Sequence, residues 1–395
     1  MGLPKKLLSI KGILYMHPSK RSFLPGLIAL MIAPIVALAQ SHGDLPSAQA
    51  IGSIEAVATF HDAMPTGVTV SENGRIFVNF PRWGDDVPFT VAEVRDGRSF
   101  AYPDAAVNRG DVARPGETFL SVQSVVADGR GRLWILDTAA PNFSAPVRGG
   151  AKLVAIDLAS NRIERTLIFP SEVIDATTYV NDMRFDFRVG KQGVAYVTDS
   201  SPTGTGGIIV LDLDSGKAIK RLVGHHSTSA DRAFVPIVEG QQLMNRAPDG
   251  ATAPFTIASD GIALSPDGET LYYSPLSSRR LYSVPTRLLR DATISEASLA
   301  SAVGDLGDKG ASDGLESDAL GNLYAGDYEH NASTAAPPQA SGRRSPRIHA
   351  SSGRILYRLG RMASCTSRRI SCTVKQPSTQ ARTKGASPMS CSERA

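Results

Sequence analysis

The sequence predicts an all-β fold, a propeller of repeated four-stranded blades, and three observations carry that expectation. One pattern recurs at intervals of roughly 50–80 residues, a period that suits radial arrays of sheet and turn. Each copy alternates apolar and polar residues at period two, the mark of a strand with one buried face. Each copy also reverses at an Asp/Asn-Gly type of turn, which supplies the positive-φ residue that a tight hairpin needs.

The first copy is Thr66-Gly67-Val68-Thr69-Val70, with its turn at Asn73-Gly74 and a second strand at Ile76-Phe77-Val78. The second has Val125-Val126-Ala127, the turn Asp128-Gly129-Arg130-Gly131, then Leu133-Trp134-Ile135-Leu136. The third starts at Asn181, takes a longer turn past Gly190 and Gly193, and returns as Val194-Ala195-Tyr196-Val197. The fourth is Asp260-Gly261-Ile262-Ala263-Leu264, turning at Asp267-Gly268 into Leu271-Tyr272-Tyr273. The fifth is Asp313-Gly314-Leu315, followed by Gly321-Asn322-Leu323-Tyr324-Ala325. Residues 152–158 and 207–213 read as third strands of a blade. A pair of β-sandwiches would explain the alternation equally well, but not the polar residue that opens each first strand.

Charge and cysteine divide the 395-residue chain unevenly. Residues 333–395 hold 12 Lys+Arg and one acidic residue, Glu393, which leaves 30 basic against 37 acidic in residues 1–332. The net charge of +4 is therefore a tail effect, and the body carries no nucleic-acid signal. All three cysteines, Cys365, Cys372 and Cys391, lie in the tail, so the body has neither a disulfide nor a thiolate metal site. At the other end, Lys20-Arg21 precedes an apolar run ending in Ala37-Leu38-Ala39. That is the layout of a secretory signal, shorter than the ~20 residues of a membrane span. Residues 1–39 are expected to be a signal peptide cleaved after Ala39, with Met16 an alternative start. The mature chain then has no membrane span and is periplasmic or extracellular.

Several stretches in order resemble the yellow / major royal jelly protein family, whose bacterial members are often labelled dopachrome-tautomerase-related. They are Val78-Asn79-Phe80-Pro81-Arg82-Trp83, Gly131-Arg132-Leu133-Trp134-Ile135-Leu136-Asp137-Thr138, Asn181-Asp182-Met183-Arg184-Phe185-Asp186 and Ala195-Tyr196-Val197-Thr198-Asp199-Ser200. Further on come 260–268, 271–278, Ser312-Asp313-Gly314-Leu315 and Gly326-Asp327-Tyr328-Glu329-His330-Asn331. The resemblance covers about residues 50–332 and implies a six-bladed propeller, whereas about five blades are encoded. Residues 40–332 are thus expected to be the propeller and 333–395 a non-native tail. The tail is rich in Ser and Thr, lacks strand periodicity, and reads as a disordered basic extension or as an out-of-frame translation. Back-translated and read one nucleotide earlier, residues 348–376 can encode an apolar alternation, an acidic-Gly turn and an apolar strand. We expect a frameshift there, one that would leave the propeller unclosed and the chain prone to aggregate.

The polar residues that open the repeats ring one mouth of a propeller's channel. Thr66, Gln123, Asn181, Asp182, Asp260 and Asp313 are therefore the candidate ligand-binding residues. Carboxylates and amides without thiols suit a hard cation such as Ca²⁺ or another divalent ion. The chain also resembles the gluconolactonase / senescence marker propellers, whose divalent-metal site uses a Glu from the first blade, two Asn and an Asp. That resemblance puts Asn181 (or Asp182), Asp260 and Asp313 at metal-ligand positions. Residues 61–66 offer no first-blade Glu, and Asp stands at 260 where Asn is usual; both departures count against lactonase activity. Any one Asp-Gly pair is accounted for by turn chemistry alone. Trp83 and Trp134 read as core, and His225-His226 as a loop between blades.

Three functions remain open at this point. The family resemblance implies a secreted propeller that binds a small molecule, an aromatic amine or similar compound. A metal-dependent lactonase or isomerase would polarise a carbonyl with its cation. A structural or interaction protein of the cell exterior would leave the channel plugged. No Ser-His-Asp elbow, zinc cluster or dinucleotide fingerprint is present, and no catalytic residue is assigned.

Overall fold

The computed structural model describes residues 58–60, 63–246, 249–330, 332–336, 369–374 and 389–394. The expected signal segment, 1–39, and most of the expected tail lie outside them. Among the described residues no helix is long and apolar enough to cross a membrane.

Four four-stranded antiparallel sheets and one three-stranded sheet follow one another along the chain, each built from consecutive strands. The first blade is β1 (Gly67–Val70), β2 (Ile76–Asn79), β3 (Val91–Arg95) and β4 (Arg98–Ala101). The second is β5 (Val122–Ala127), β6 (Arg132–Asp137), β7 (Lys152–Asp157) and β8 (Arg162–Ile168), and the third is β9 (Val180–Asp186), β10 (Val194–Asp199), β11 (Gly207–Asp212) and β12 (Ala218–Arg221). Two small hairpins come next, β13 (Ile237–Val238) with β14 (Gln241–Gln242) and β15 (Met244–Arg246) with β16 (Thr252–Pro254). The fourth blade is β17 (Ser259–Leu264), β18 (Thr270–Pro275), β19 (Arg280–Pro285) and β20 (Gly304–Asp308), with helices α1 (Thr286–Arg290) and α2 (Glu296–Ser301) inserted before its last strand. The fifth is β21 (Leu315–Ser317), β22 (Leu323–Asp327) and β23 (Ala332–Ala336). These are the five copies read from the sequence, and the fold is an all-β propeller.

The inner strands pack in chain order, β1 on β5, β5 on β9, β9 on β17 and β17 on β21. No comparable packing joins β21 back to β1 among the described residues. Burial follows the alternation that defined each strand. Trp134, Leu136, Leu153, Met183, Val197 and Ile209 belong to a cluster of fifteen buried side chains between the second and third blades. Tyr196, Ile208, Ile262, Leu271 and Tyr273 join the third and fourth, capped by Leu289 and Leu299 of the two helices. The fourth and fifth share only four, Ala263, Leu281, Leu315 and Ala325. Trp134 is core as expected, 2% exposed, and its indole nitrogen donates to Asp128 at 3.0 Å.

The fifth blade does not stop at 332. Residues Ala332–Ala336 pair with Asp327–Leu323, so the strand crosses the boundary drawn from composition. Backbone pairing needs donors and acceptors but no acidic side chains, and the run of small residues there supplies them. Beyond it, β24 (Arg369–Val374) pairs with β25 (Met389–Arg394) in a separate two-stranded sheet, where the sequence showed no strand periodicity.

Candidate functional site

In each blade the end of the second strand lies beside the start of the first. The register sets Gly67 opposite Asn79, Val122 opposite Asp137, Val180 opposite Asp199 and Ser259 opposite Pro275. The residues after each second strand and before each first strand therefore gather at one mouth. That places Trp83, Phe143, Tyr179, Arg279, Lys309 and Tyr328 there, together with the openings of the repeats.

Thr66 and Gln123 meet on the first side of the ring, where the Thr66 hydroxyl donates to the Gln123 carbonyl at 3.4 Å. The Gln123 side-chain oxygen accepts from the Tyr179 hydroxyl at 2.9 Å, and that hydroxyl accepts from the Trp83 indole at 2.7 Å. Phe143 lies between the two rings, 5.0 Å from Trp83 and 5.1 Å from Tyr179, stacked on both. Trp83 and Phe143 are only half-buried. Trp83 is thus not core, contrary to expectation, but one face of an aromatic wall at the mouth. The motif that contains it explains the placement. Arg82 clamps the second blade's loop through the carbonyls of Leu120 (2.6 Å) and Asn108 (2.8 Å), and its own carbonyl accepts the Asn142 amide at 2.8 Å. Asn142 and Phe143 both have φ of +55°. Two successive non-glycine residues in the left-handed region cost on the order of 1–3 kcal/mol each, and such strain clusters at functional sites.

The remaining expected residues are placed differently. Asn181 donates to the Ser200 hydroxyl at 2.7 Å. Asp182 turns to the channel's interior, accepting from Ser124 at 2.8 Å and pairing with Arg184 at 3.3 Å. Arg184 crosses from the third blade to the fifth, donating to the Leu315 carbonyl at 2.6 Å and pairing with Glu316 at 3.2 Å. Burial opposes its charge, but Asp182 and Glu316 outweigh it and hold Arg184 above its ordinary range. The channel is bolted below the mouth by this guanidinium.

Asp260 and Asp313 lie on the opposite side. Both act on the Tyr328 phenol, which burial, then Asp313, Glu329 and Asp260 push well above its ordinary range. Beside them Lys309 is 5% exposed. Burial pulls its ammonium down to about 7, against Asp308, Asp327 and Asp260, which favour the charge. Arg279 and Glu329 form a two-pronged ion pair at 2.6 and 2.7 Å. With Ile237, Glu239, Gly240 and His330 they line a cleft of about 500 Å³.

Sequence reasoning missed Phe143, Tyr179, Lys309 and Tyr328, which stand in loops without periodicity. It also missed a recurring staple. Asp137, the last residue of β6, accepts the amides of Leu120 (2.8 Å), Ser121 (2.9 Å) and Ala139 (2.9 Å), and the Lys152 ammonium at 2.7 Å. Asp199, the last of β10, accepts the Tyr179 amide at 2.8 Å and Lys220 at 2.7 Å. The Asp that ends the second strand of the second, third and fifth blades was the available signal.

Among the described residues no three His, Cys, Asp or Glu side chains converge on one point. Asp182 is committed to Arg184 and Ser124, Thr66 stands where a first-blade acid is needed, and the Lys309 ammonium adjoins Asp260. This donor set does not fit a divalent ion.

The major royal jelly protein family model matches residues 120–338. Protein yellow of Drosophila erecta is 28% identical over 264 residues, which are 60% of this chain and 44% of that protein. Protein yellow of Drosophila madeirensis is 28% identical over 277 residues, 63% of this chain and again 44% of the relative. The chain's match thus spans less than half the length of these curated relatives. Among solved structures, a calcium-binding protein, regucalcin, from Agrobacterium tumefaciens aligns at TM-score 0.41 and 16% identity over 70% of this chain and 72% of its own. A virginiamycin B lyase from Staphylococcus aureus aligns at TM-score 0.37 and 13% identity over 74% and 86%. The family match covers more than half of the residues, and the chain belongs to the major royal jelly protein family.

Proposed function

We propose that this propeller binds a small aromatic amine at the channel mouth, its ring against the wall of Trp83, Phe143 and Tyr179 and its ammonium toward Asp260 and Asp313. The observation that carries the reading is the stack of Phe143 on both Trp83 and Tyr179, presented by a left-handed turn that the Ser144 amide closes on the Pro141 carbonyl at 3.1 Å. Aromatic faces attract both rings and cations, and a carboxylate pair opposite them complements an ammonium. Arg184 closes the channel beneath, so the ligand enters and leaves by the loop side. The same reading makes the chain a secreted protein, acting outside the cytoplasm on a small molecule and not on nucleic acid.

The chain has two tryptophans, one at the mouth and one in the core. Titration with 2-phenylethylamine should quench tryptophan emission in the native chain and leave a Trp83→Phe variant unchanged. Quenching that persists in the variant would exclude the mouth as the site. Export is tested by mass spectrometry of protein recovered outside the cytoplasm, which should begin at or near Gln40; recovery of the full-length chain in the cytoplasm would refute it. A stoichiometric divalent ion lost on replacing Asp260 and Asp313 would instead favour the lactone-hydrolase reading.

A further inference from the structure

The strand register beyond the fifth blade singles out two of the chain's three cysteines. β24 and β25 pair antiparallel from Arg369 opposite Arg394 to Val374 opposite Met389, and near the centre Cys372 stands directly opposite Cys391. Cross-strand partners share one face of a sheet. In an antiparallel pair their Cα atoms are about 4.5–5.5 Å apart, inside the roughly 4.4–6.8 Å that a disulfide spans. The third cysteine, Cys365, falls outside the described residues.

Little else favours this pairing. Among the described residues β24 and β25 form a sheet with each other alone, and a lone two-stranded sheet is marginal in water. Arg369 and Arg394 set like charges opposite each other at one end, which opposes it further. Bringing the strands together across residues 375–388 also costs loop-closure entropy, and a covalent link removes most of that cost by constraining the unfolded chain.

We propose that Cys372 and Cys391 are joined by a disulfide, formed by exchange with an external disulfide such as oxidised glutathione, and that this bond staples the β24–β25 pair. One cysteine thiolate attacks a sulfur of the external disulfide, whose S–S bond breaks and releases one thiol. The second thiolate then attacks the cysteine sulfur of that mixed disulfide, the other thiol leaves, and the Cys372–Cys391 bond forms. Two electrons and two protons pass from the cysteines to the external disulfide, which ends as two thiols. An exported chain, as proposed above, meets such oxidants outside the cytoplasm. Where the bond forms in a cell rests on that reading, whereas the choice of partners rests on the register alone. It is independent of ligand binding at the mouth and of the frame in which the gene is read.

The test incubates the reduced full chain with oxidised glutathione and maps its disulfides by peptide mass spectrometry without reduction. Trypsin separates the three cysteines into residues 362–368, 370–375 and 385–394, so each pairing gives a distinct linked peptide. Chain entropy alone favours the wrong pair. Cys365 and Cys372 are seven residues apart and Cys372 and Cys391 nineteen, so an unstructured tail should form Cys365–Cys372 about four-fold more readily. In native buffer Cys372–Cys391 should instead exceed Cys365–Cys372 by at least about ten-fold, because the strands hold the two groups together. In urea the order should reverse. Predominance of Cys365–Cys372 in native buffer would overturn the proposal, as would glutathione adducts without a linked peptide, or a Cys372–Cys391 preference that survives urea. None of these outcomes depends on whether the chain is exported.

Discussion

The two sides of the channel mouth are built from the same repeat and finished differently. On the side of the second and third blades, the acid that ends each second strand is locked: Asp137 to Lys152 and three amides, Asp199 to Lys220 and one. Fifteen buried side chains lie beneath it. On the side of the fourth and fifth blades the equivalent Asp327 holds a largely exposed histidine, Lys309 has one carbonyl, and four buried side chains form the interface. A repeat that is mechanically complete on one side is left, among the described residues, with unpartnered Ser259 and Ser312 hydroxyls and a sparsely bonded Lys309 on the other. Rigidity and chemistry are thus divided between two walls of one site.

That division is most sharply broken by removing the equivalent acids. Asp137→Ala leaves a buried lysine without its counter-ion and three amides without their acceptor, and should cost about 3–5 kcal/mol in denaturant titration. Asp327→Ala, whose partner is mostly in water, should cost at most about 1 kcal/mol. Equal losses would erase the distinction between the two walls. The packing beneath makes the next contrast. Leu153→Ala in the larger cluster should cost about 3–4 kcal/mol, and Leu315→Ala about 2 kcal/mol, within the range for buried leucines; a reversed order would contradict the burial pattern.

A further contrast is expected in pH dependence. Lys309 sits near 7 in the folded chain against an ordinary 10.5, so between those values the unfolded chain binds more protons. Stability from this group therefore rises with pH across that window, its charge opposing folding fully below pH 7. Subtracting a Lys309→Met variant, measured by urea unfolding from pH 6.5 to 10, should reveal that rise. A difference that is flat, or falls, would show that Lys309 is normally solvated or paired.

The strands were legible because each blade buries one face of every strand, so Val125, Leu133 and Ile135 announce their burial by alternation alone. The openings of the repeats were legible for the same reason, since a polar residue interrupts the alternation at Gln123, Asn181 and Asp260. The aromatic wall was not. Phe143 and Tyr179 come from loops that meet only because two strand ends share a mouth, and Trp83 looked like core until its partners were seen. Asp182 illustrates the opposite limit: it opens its repeat among the expected residues, but its carboxylate is taken up by the adjoining Arg184 and by Ser124. Composition marked the break near residue 333, yet backbone pairing carried the fifth blade through it to Ala336. The proposed frameshift beyond is a matter of the gene, and resequencing decides it.

The account stands or falls on whether the two walls hold different halves of one ligand. Calorimetric titration with 2-phenylethylamine and its neutral analogue 2-phenylethanol tests this directly. The native chain should bind the amine about ten-fold more tightly, a difference of about 1.4 kcal/mol. Asp313→Asn should abolish that preference, whereas Phe143→Ala should weaken both ligands alike. Equal binding of amine and alcohol by the native chain, or binding of neither, would contradict the division.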